Sequence, residues 1–279
     1  MPPVTLQRIR AASKYLVVLA AGLVLIGWWV GTPPGLPAKA DAIGYAVCHQ
    51  ISTRSFHIGN IQLPLCARCT GMYLGAMTGL VFQTIVGARR RKIPPWSVLV
   101  PLIIFVVGFG IDGANSYLYL VKEINPGVLA KVPNLYIPNN TLRLLTGSGM
   151  GLGIAAVLLP AFNQTIWSTE DERAALPDLK SFGLLVGIQL ILDLLVLTQS
   201  PIVLYPVAVI SVVGVLVLLS MVYCMVWVMI MAEENKFARL SQLWLPLLAG
   251  FTIAMIQTAG VDAVRFWLTG TWSGFPISG

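Results

Sequence analysis

The chain is short of charge. Only 10% of its 279 residues are Asp, Glu, Lys or Arg, whereas a soluble globular domain carries about 25%. That supply cannot cover a water-facing surface, so lipid is the main solvent the fold is expected to meet. Segments alternating apolar and polar residues are missing too, which argues against an outer-membrane barrel. No internal repeat is visible, so an inverted-repeat transporter plan gains no support. No segment is of low complexity. The net charge of +7 does not gather into a stripe, which argues against nucleic acid as a partner. Histidine is scarce at two residues and cysteine at four, so their placement is informative: both histidines and three of the cysteines fall within residues 48–69.

What the chain has is apolar length. Hydrophobic residues make up 57% and the mean hydropathy is +0.81. Apolar runs occur at 15–31, 70–86, 96–119, 141–159, 181–197, 203–231 and 243–260, and a helix needs roughly 20 residues to cross the hydrocarbon core. They predict an all-α polytopic helix bundle of about seven transmembrane helices, a single membrane domain over 1–279. Its partner is the bilayer and its location the inner (plasma) membrane. The first run ends in Trp28-Trp29, an interfacial belt signal. Its basic start and the Ala38-Lys39-Ala40 triplet also fit a cleaved signal peptide, but the length of the run and its terminal tryptophans favour a retained helix. Residues 32–37 break the chain, and a short helix is expected around 40–50. Asn139-Asn140 reads as the N-cap of the fourth span.

Cations set the orientation. With the N-terminus cytoplasmic, Arg8, Arg10, Lys14, Arg89, Arg90, Arg91, Lys92, Arg173, Lys180, Lys236 and Arg239 lie inside. Lys39, Arg54, Arg68, Lys122, Lys131, Arg143 and Arg265 lie outside. The bias follows the positive-inside rule and makes the C-terminus extracytoplasmic. The same topology gathers the cysteine segment, Asp112 and Asn115, Asn140 and Arg143, and Asp262 and Arg265 at the outer face. Ionisable groups within a span are expensive unless paired or facing a cavity. Asp112 and Arg143, each near the outer end of its helix, are the expected partners.

Cys66-Ala67-Arg68-Cys69 stands at the start of the second span. Cysteines three apart share a helix face or cap its N-terminus, where the dipole and Arg68 both favour the thiolate. Such a pair serves thiol–disulfide exchange equally well, or forms half of a tetrahedral zinc site with Cys48 as third ligand and His49 or His57 as fourth. The small residues Gly71, Gly75 and Gly79, with Gly147, Gly149, Gly151 and Gly153, suit close helix packing in lipid. The second set lacks the Lys-Ser/Thr ending of a phosphate loop.

At these residues the chain resembles a prokaryotic family, the predicted membrane proteins of domain of unknown function 2085. The resemblance rests on Cys48-His49, Arg54-Ser55-Phe56, Pro64-x-Cys66-x-Arg68-Cys69-x-Gly71-x-Tyr73-x-Gly75, Asp112-Gly113, and Asn140-x-x-Arg143-x-x-Thr146-Gly147. It implies one motif-bearing module over about 48–153, with additional helices over 160–279, and it implies no activity. The reading is therefore an outer-face site of Cys48, His49, Cys66 and Cys69 for a transition metal such as zinc. Arg54, His57, Arg68, Asp112, Asn115, Asn140 and Arg143 form a polar pocket beside it, suited to an anionic or lipid-borne group. The alternatives are a membrane thiol–disulfide oxidoreductase using Cys66 and Cys69 with a quinone, or a structural subunit with membrane-protein partners and its cysteines in a disulfide.

Overall fold

The computed structural model describes residues 3–125, 127–129, 131–169 and 171–274, with side chains from residue 12 onward. Arg8 and Arg10 therefore lie outside the described side chains. Eight helices follow in chain order: α1 (Pro3–Gly31), α2 (Leu36–Val47), α3 (Ala67–Gly87), α4 (Trp96–Ile124), α5 (Asn140–Ile166), α6 (Leu179–Leu197), α7 (Pro201–Ile230) and α8 (Trp244–Thr269). All but α2 are long and apolar enough to span a bilayer, giving the seven expected. Helices suit this solvent because each satisfies its own backbone groups.

Helices α3 and α5 form the centre of the bundle. A Cβ added at Gly71 would lie 2.3 Å from the Leu144 carbonyl oxygen, and one at Gly75 would lie 2.4 Å from that of Ser148. From the other side, a Cβ at Gly147 would lie 2.2 Å from the Arg68 carbonyl, and one at Gly151 2.1 Å from that of Met72. The two backbones touch, which only glycine permits. Gly149 and Gly153 face Phe105 and Val106 of α4 instead, so the glycine-rich segment of α5 serves two neighbours.

The bundle has two distinct ends. At one, the run 89–92 ties three loops together. Arg89 donates to the Ala238 carbonyl, Arg90 to that of Ala174, and Arg91 to those of Gln164 and, through its side chain, Asn235. The other end carries α2, a hairpin and the loop before α5. Lys39 turns α1 into α2 by donating to Thr32 O at 2.9 Å, to Thr32 Oγ1 at 2.6 Å and to the Trp29 carbonyl, which are acceptors at the exposed end of α1. Helix α8 runs beside α1. Lys14 lies 5.7 Å from the Trp244 ring centre near their starts, and Trp28 Nε1 donates to Asp262 at 3.1 Å near their ends.

The short helix expected around 40–50 is α2, shifted to Leu36–Val47. A two-stranded hairpin was not expected. β1 (Ser55–Ile58) pairs antiparallel with β2 (Ile61–Cys66), with Ile58 opposite Ile61 and a bulge between Ser55 and His57. Its two-residue turn is Gly59-Asn60, with Gly59 at φ +60°.

Candidate metal centre

Three chain segments end at one point. Cys48 is the C-cap residue of α2, Cys66 ends β2 and is the N-cap of α3, and Cys69 lies one turn into α3. Gly44 makes the convergence possible: a Cβ there would sit 2.0 Å from the Pro64 carbonyl, so α2 presses directly on β2. Gln50, in the left-handed region at φ +51°, fixes the corner. Its Nε2 donates to the carbonyls of Asp41 and Pro64, both at 2.9 Å. The three sulfurs then lie within 4.8 Å of one another. Cys48 and Cys66 are buried and Cys69 is half-buried, against a shell that includes Ile43, Leu65, Val212, Val215 and Met255.

Backbone N–H groups point at the sulfur of Cys48. Gln50 N donates to it at 3.4 Å and Cys66 N at 3.3 Å, bonds that only partly offset the neighbouring Cys66 thiol and the burial that disfavour charge there. The proton balance of the triad is uneven. Cys66 is held well below the ordinary thiol range, chiefly because the Cys48 and Cys69 side chains hydrogen-bond to it. Cys48 is pushed up to about 12, first by that same bond to Cys66. Within the triad, Cys66 is thus the sulfur on which the thiolate is most favoured. His49 is held below its usual value by burial, and Cys66 pulls it partly back.

His49 lies outside the sulfur triad, with its Nδ1 accepting from Ile51 N at 3.3 Å. His57 shares a 3.0 Å hydrogen bond with Ser52. Arg68, between the two α3 cysteines, does not face them. It donates through Nε to Asp112 Oδ2 at 3.1 Å and through Nη2 to the same carboxylate, to the Asp112 carbonyl at 3.1 Å and to Ser116 at 2.9 Å. Asp112, 1% exposed, also accepts from Tyr136 at 2.7 Å and Thr146 at 3.3 Å. The expected Asp112–Arg143 pair is therefore corrected to Asp112–Arg68. On α5 it is Thr146 that reaches Asp112; Arg143 lies about a turn nearer the helix start and donates to Asn140 Oδ1 at 2.8 Å.

Asn140 joins the hairpin segment to α5, its Nδ2 donating to the carbonyls of Ser55 at 3.3 Å and Thr53 at 3.4 Å. Asn115 organises the loop before α5, accepting from Leu135 N at 2.9 Å and donating to the Tyr136 carbonyl at 3.0 Å. Arg54, at the end of a short turn over Ser52–Arg54, is buried, and burial is the main cause holding its pKa below the usual value.

One contributor was absent from the expected site. Arg265, near the end of α8, donates through Nη1 to the carbonyls of Cys48 at 2.6 Å and Tyr45, and through Nη2 to that of His49 at 3.3 Å. Its guanidinium lies 3.8 Å from the Tyr45 ring centre. The last helix thereby caps α2 and sets the position of Cys48. The only sequence signal for this was a cation at the same expected membrane face. A further buried carboxylate, Asp193 on α6, accepts from Ser148 at 2.7 Å and Gln189 at 2.9 Å, between α5 and α6.

Residues 48–157 match the family described as predicted membrane protein, DUF2085, so the resemblance seen in the cysteine and Asn-Arg motifs is borne out over that stretch. An uncharacterized protein from Methanocaldococcus jannaschii is 28% identical over 128 residues, which is 45% of this chain and 70% of the relative. An uncharacterized protein from Methanothermobacter thermautotrophicus is 29% identical over 111 residues, 40% of this chain and 83% of the relative. No solved structure matches. All three sulfurs, Arg68, Asp112 and Arg143 lie in the family segment; Arg265 lies beyond it.

Proposed function

We propose that this membrane protein holds a transition metal, zinc in the first instance, on Cys48, Cys66 and Cys69 at the extracytoplasmic face of the inner membrane. The observation that carries the reading is the meeting of three sulfurs from separate segments within 4.8 Å. Zn–S bonds of about 2.3 Å in a tetrahedron put sulfurs roughly 3.8 Å apart. A small inward movement of each side chain closes the site. Three thiolates around a dication leave one negative charge, which suits a neighbourhood containing Arg54, Arg68 and Arg143. His49 is the fourth donor nearest in sequence. It would ligate by giving up the bond from Ile51 N, and a solvent oxygen would hold the position otherwise. The paired Arg68 and Asp112, with Asn140 and Arg143, form the polar side of the site.

A second reading draws on Cys66, whose thiolate is favoured at the start of α3. Oxidation of the Cys66/Cys69 dithiol by a quinone, which takes two electrons and two protons to become a quinol, would form the Cys66–Cys69 disulfide. Attack by a substrate thiolate on Cys69, with Cys66 leaving as its favoured thiolate, and resolution by a second substrate thiol would then oxidise the substrate and restore the dithiol, making the protein a thiol–disulfide oxidoreductase. Elemental analysis of purified protein, with thiol counting before and after reductant, separates the two. About one metal per chain, lost in Cys48→Ser and Cys66→Ser, supports the first. A reducible Cys66–Cys69 bond without metal supports the second and overturns the first. Sidedness is tested by alkaline phosphatase fused to the C-terminus. The fusion is active if that end is extracytoplasmic, and an inactive, stable fusion overturns the assignment.

A further inference from the structure

Near Cys66 are two buried arginines that no acid joins in an ion pair among the described residues. Arg54 and Arg143 are 7% and 6% exposed. Asp112, the buried carboxylate of this region, is committed to Arg68. Glu123, exposed in the last turn of α4, attracts Arg54 through its field, but no ion pair joins them among the described residues. Arg143 donates only through Nη1, to Asn140, and its Nε is buried with no hydrogen-bond partner. The Arg54 side chain makes no hydrogen bond among the described residues. A buried cation left this way is costly unless an anion joins it.

The two arginines are held together rather than merely near. Asn140 accepts from Arg143 through Oδ1, and its Nδ2 donates to the carbonyls of Thr53 and Ser55, the residues on either side of Arg54. One side chain thus ties the backbone on either side of Arg54 to the Arg143 guanidinium at the start of α5, where the helix dipole adds further positive potential.

We propose that Arg54 and Arg143, bridged by Asn140, bind a tetrahedral oxyanion: a phosphate group, free or as the headgroup of an anionic phospholipid. Arginine forks match phosphate oxygens in pairs, and the unpartnered Nε with the adjacent Nη2 of Arg143 is such a fork. The site is built from the two arginines, Asn140 and the short turn that carries Arg54, none of which supplies a sulfur, so its test is separate from that of the metal.

The test uses the full chain purified in detergent. Radiolabelled inorganic phosphate is measured by equilibrium dialysis, and phospholipid retained through purification is extracted and counted by phosphorus content. Saturable phosphate binding to delipidated protein identifies the free anion. Retained phosphatidylglycerol or phosphatidic acid that phosphate does not displace identifies the headgroup. In either arm, Arg143→Gln and Arg54→Gln should each weaken binding by about tenfold to a hundredfold, the usual loss for a charge-assisted hydrogen bond. Arg143→Lys keeps the charge without the fork and should recover part of it, which also guards against a variant that fails to fold. Cys224→Ser, at a buried cysteine of α7 packed with Phe162 and Val228, should bind the anion as the parent chain does. Absence of both phosphate and retained anionic lipid from the parent chain overturns the proposal. So does equal binding by the parent chain and both Gln variants, and so does a result in which Arg143→Gln changes only the ionisation of the Cys66 thiol. In that last case the arginines merely offset sulfur charge.

Discussion

Replacing Asp112 by Ala is the sharpest probe of how the polar end of the bundle is built. The carboxylate is 1% exposed and takes hydrogen bonds from Arg68, Tyr136 and Thr146. Its loss strands the Arg68 guanidinium, 17% exposed, with only the Ser116 hydroxyl at 2.9 Å and a backbone carbonyl at 3.1 Å. Removing one partner of a buried ion pair costs about 3–5 kcal/mol, most of it from the charge left behind. Arg68→Met alone strands Asp112, but Tyr136 and Thr146 still solvate it, so its cost should fall at the lower end of that range. The double variant removes both charges, and should be less destabilised than the sum of the singles by about 2 kcal/mol. Chemical unfolding in mixed micelles, followed by tryptophan fluorescence, measures all four corners of the cycle. A loss below about 1 kcal/mol for Asp112→Ala, or strict additivity in the double variant, would show that the pair is solvated and that α4 is held in the bundle by its apolar packing on α5 alone.

Gly147→Ala places a methyl 2.2 Å from the Arg68 carbonyl and should cost about 1–3 kcal/mol or block assembly. Gly22→Ala, which meets nothing within 4 Å, should be neutral in the same unfolding assay. Arg265→Gln keeps all three sulfurs but releases the carbonyls of Tyr45, Cys48 and His49. Metal affinity, read by competition with a chelator, should fall about 10–100-fold with the metal-to-thiol ratio at saturation unchanged. Asp41 has its pKa raised to about 6 by burial, against 3.8 ordinarily. A raised carboxyl pKa contributes stability below the ordinary value, and that contribution is lost as pH rises through about 6. Asp41→Asn should therefore melt above the parent at pH 7.5 and level with it at pH 4; an equal difference at both pH values would refute the assignment.

The spans were legible because membrane helices must be apolar along their whole length, and the runs at 96–119 and 141–159 survive inside the longer α4 and α5. The grouping of Cys48 with Cys66 and Cys69 was legible from scarcity and spacing. The hairpin was overlooked although Gly59-Asn60 between two isoleucines is a two-residue turn signal. Its strands were too short, and too close to the cysteines, to read as strands. The partner of Asp112 was misassigned because sequence gives the depth of a residue in its helix only to about a turn. Sequence adjacency ties Arg68 to the cysteines, whereas its position in the first turn of α3 turns it towards Asp112 of α4. Arg265 was unreadable as part of the site, since nothing local links the end of α8 to the end of α2.

That last link spans 217 positions of chain. A ribosome releases Cys48 long before it makes Arg265, so during synthesis the sulfur pocket exists for a time without its latch.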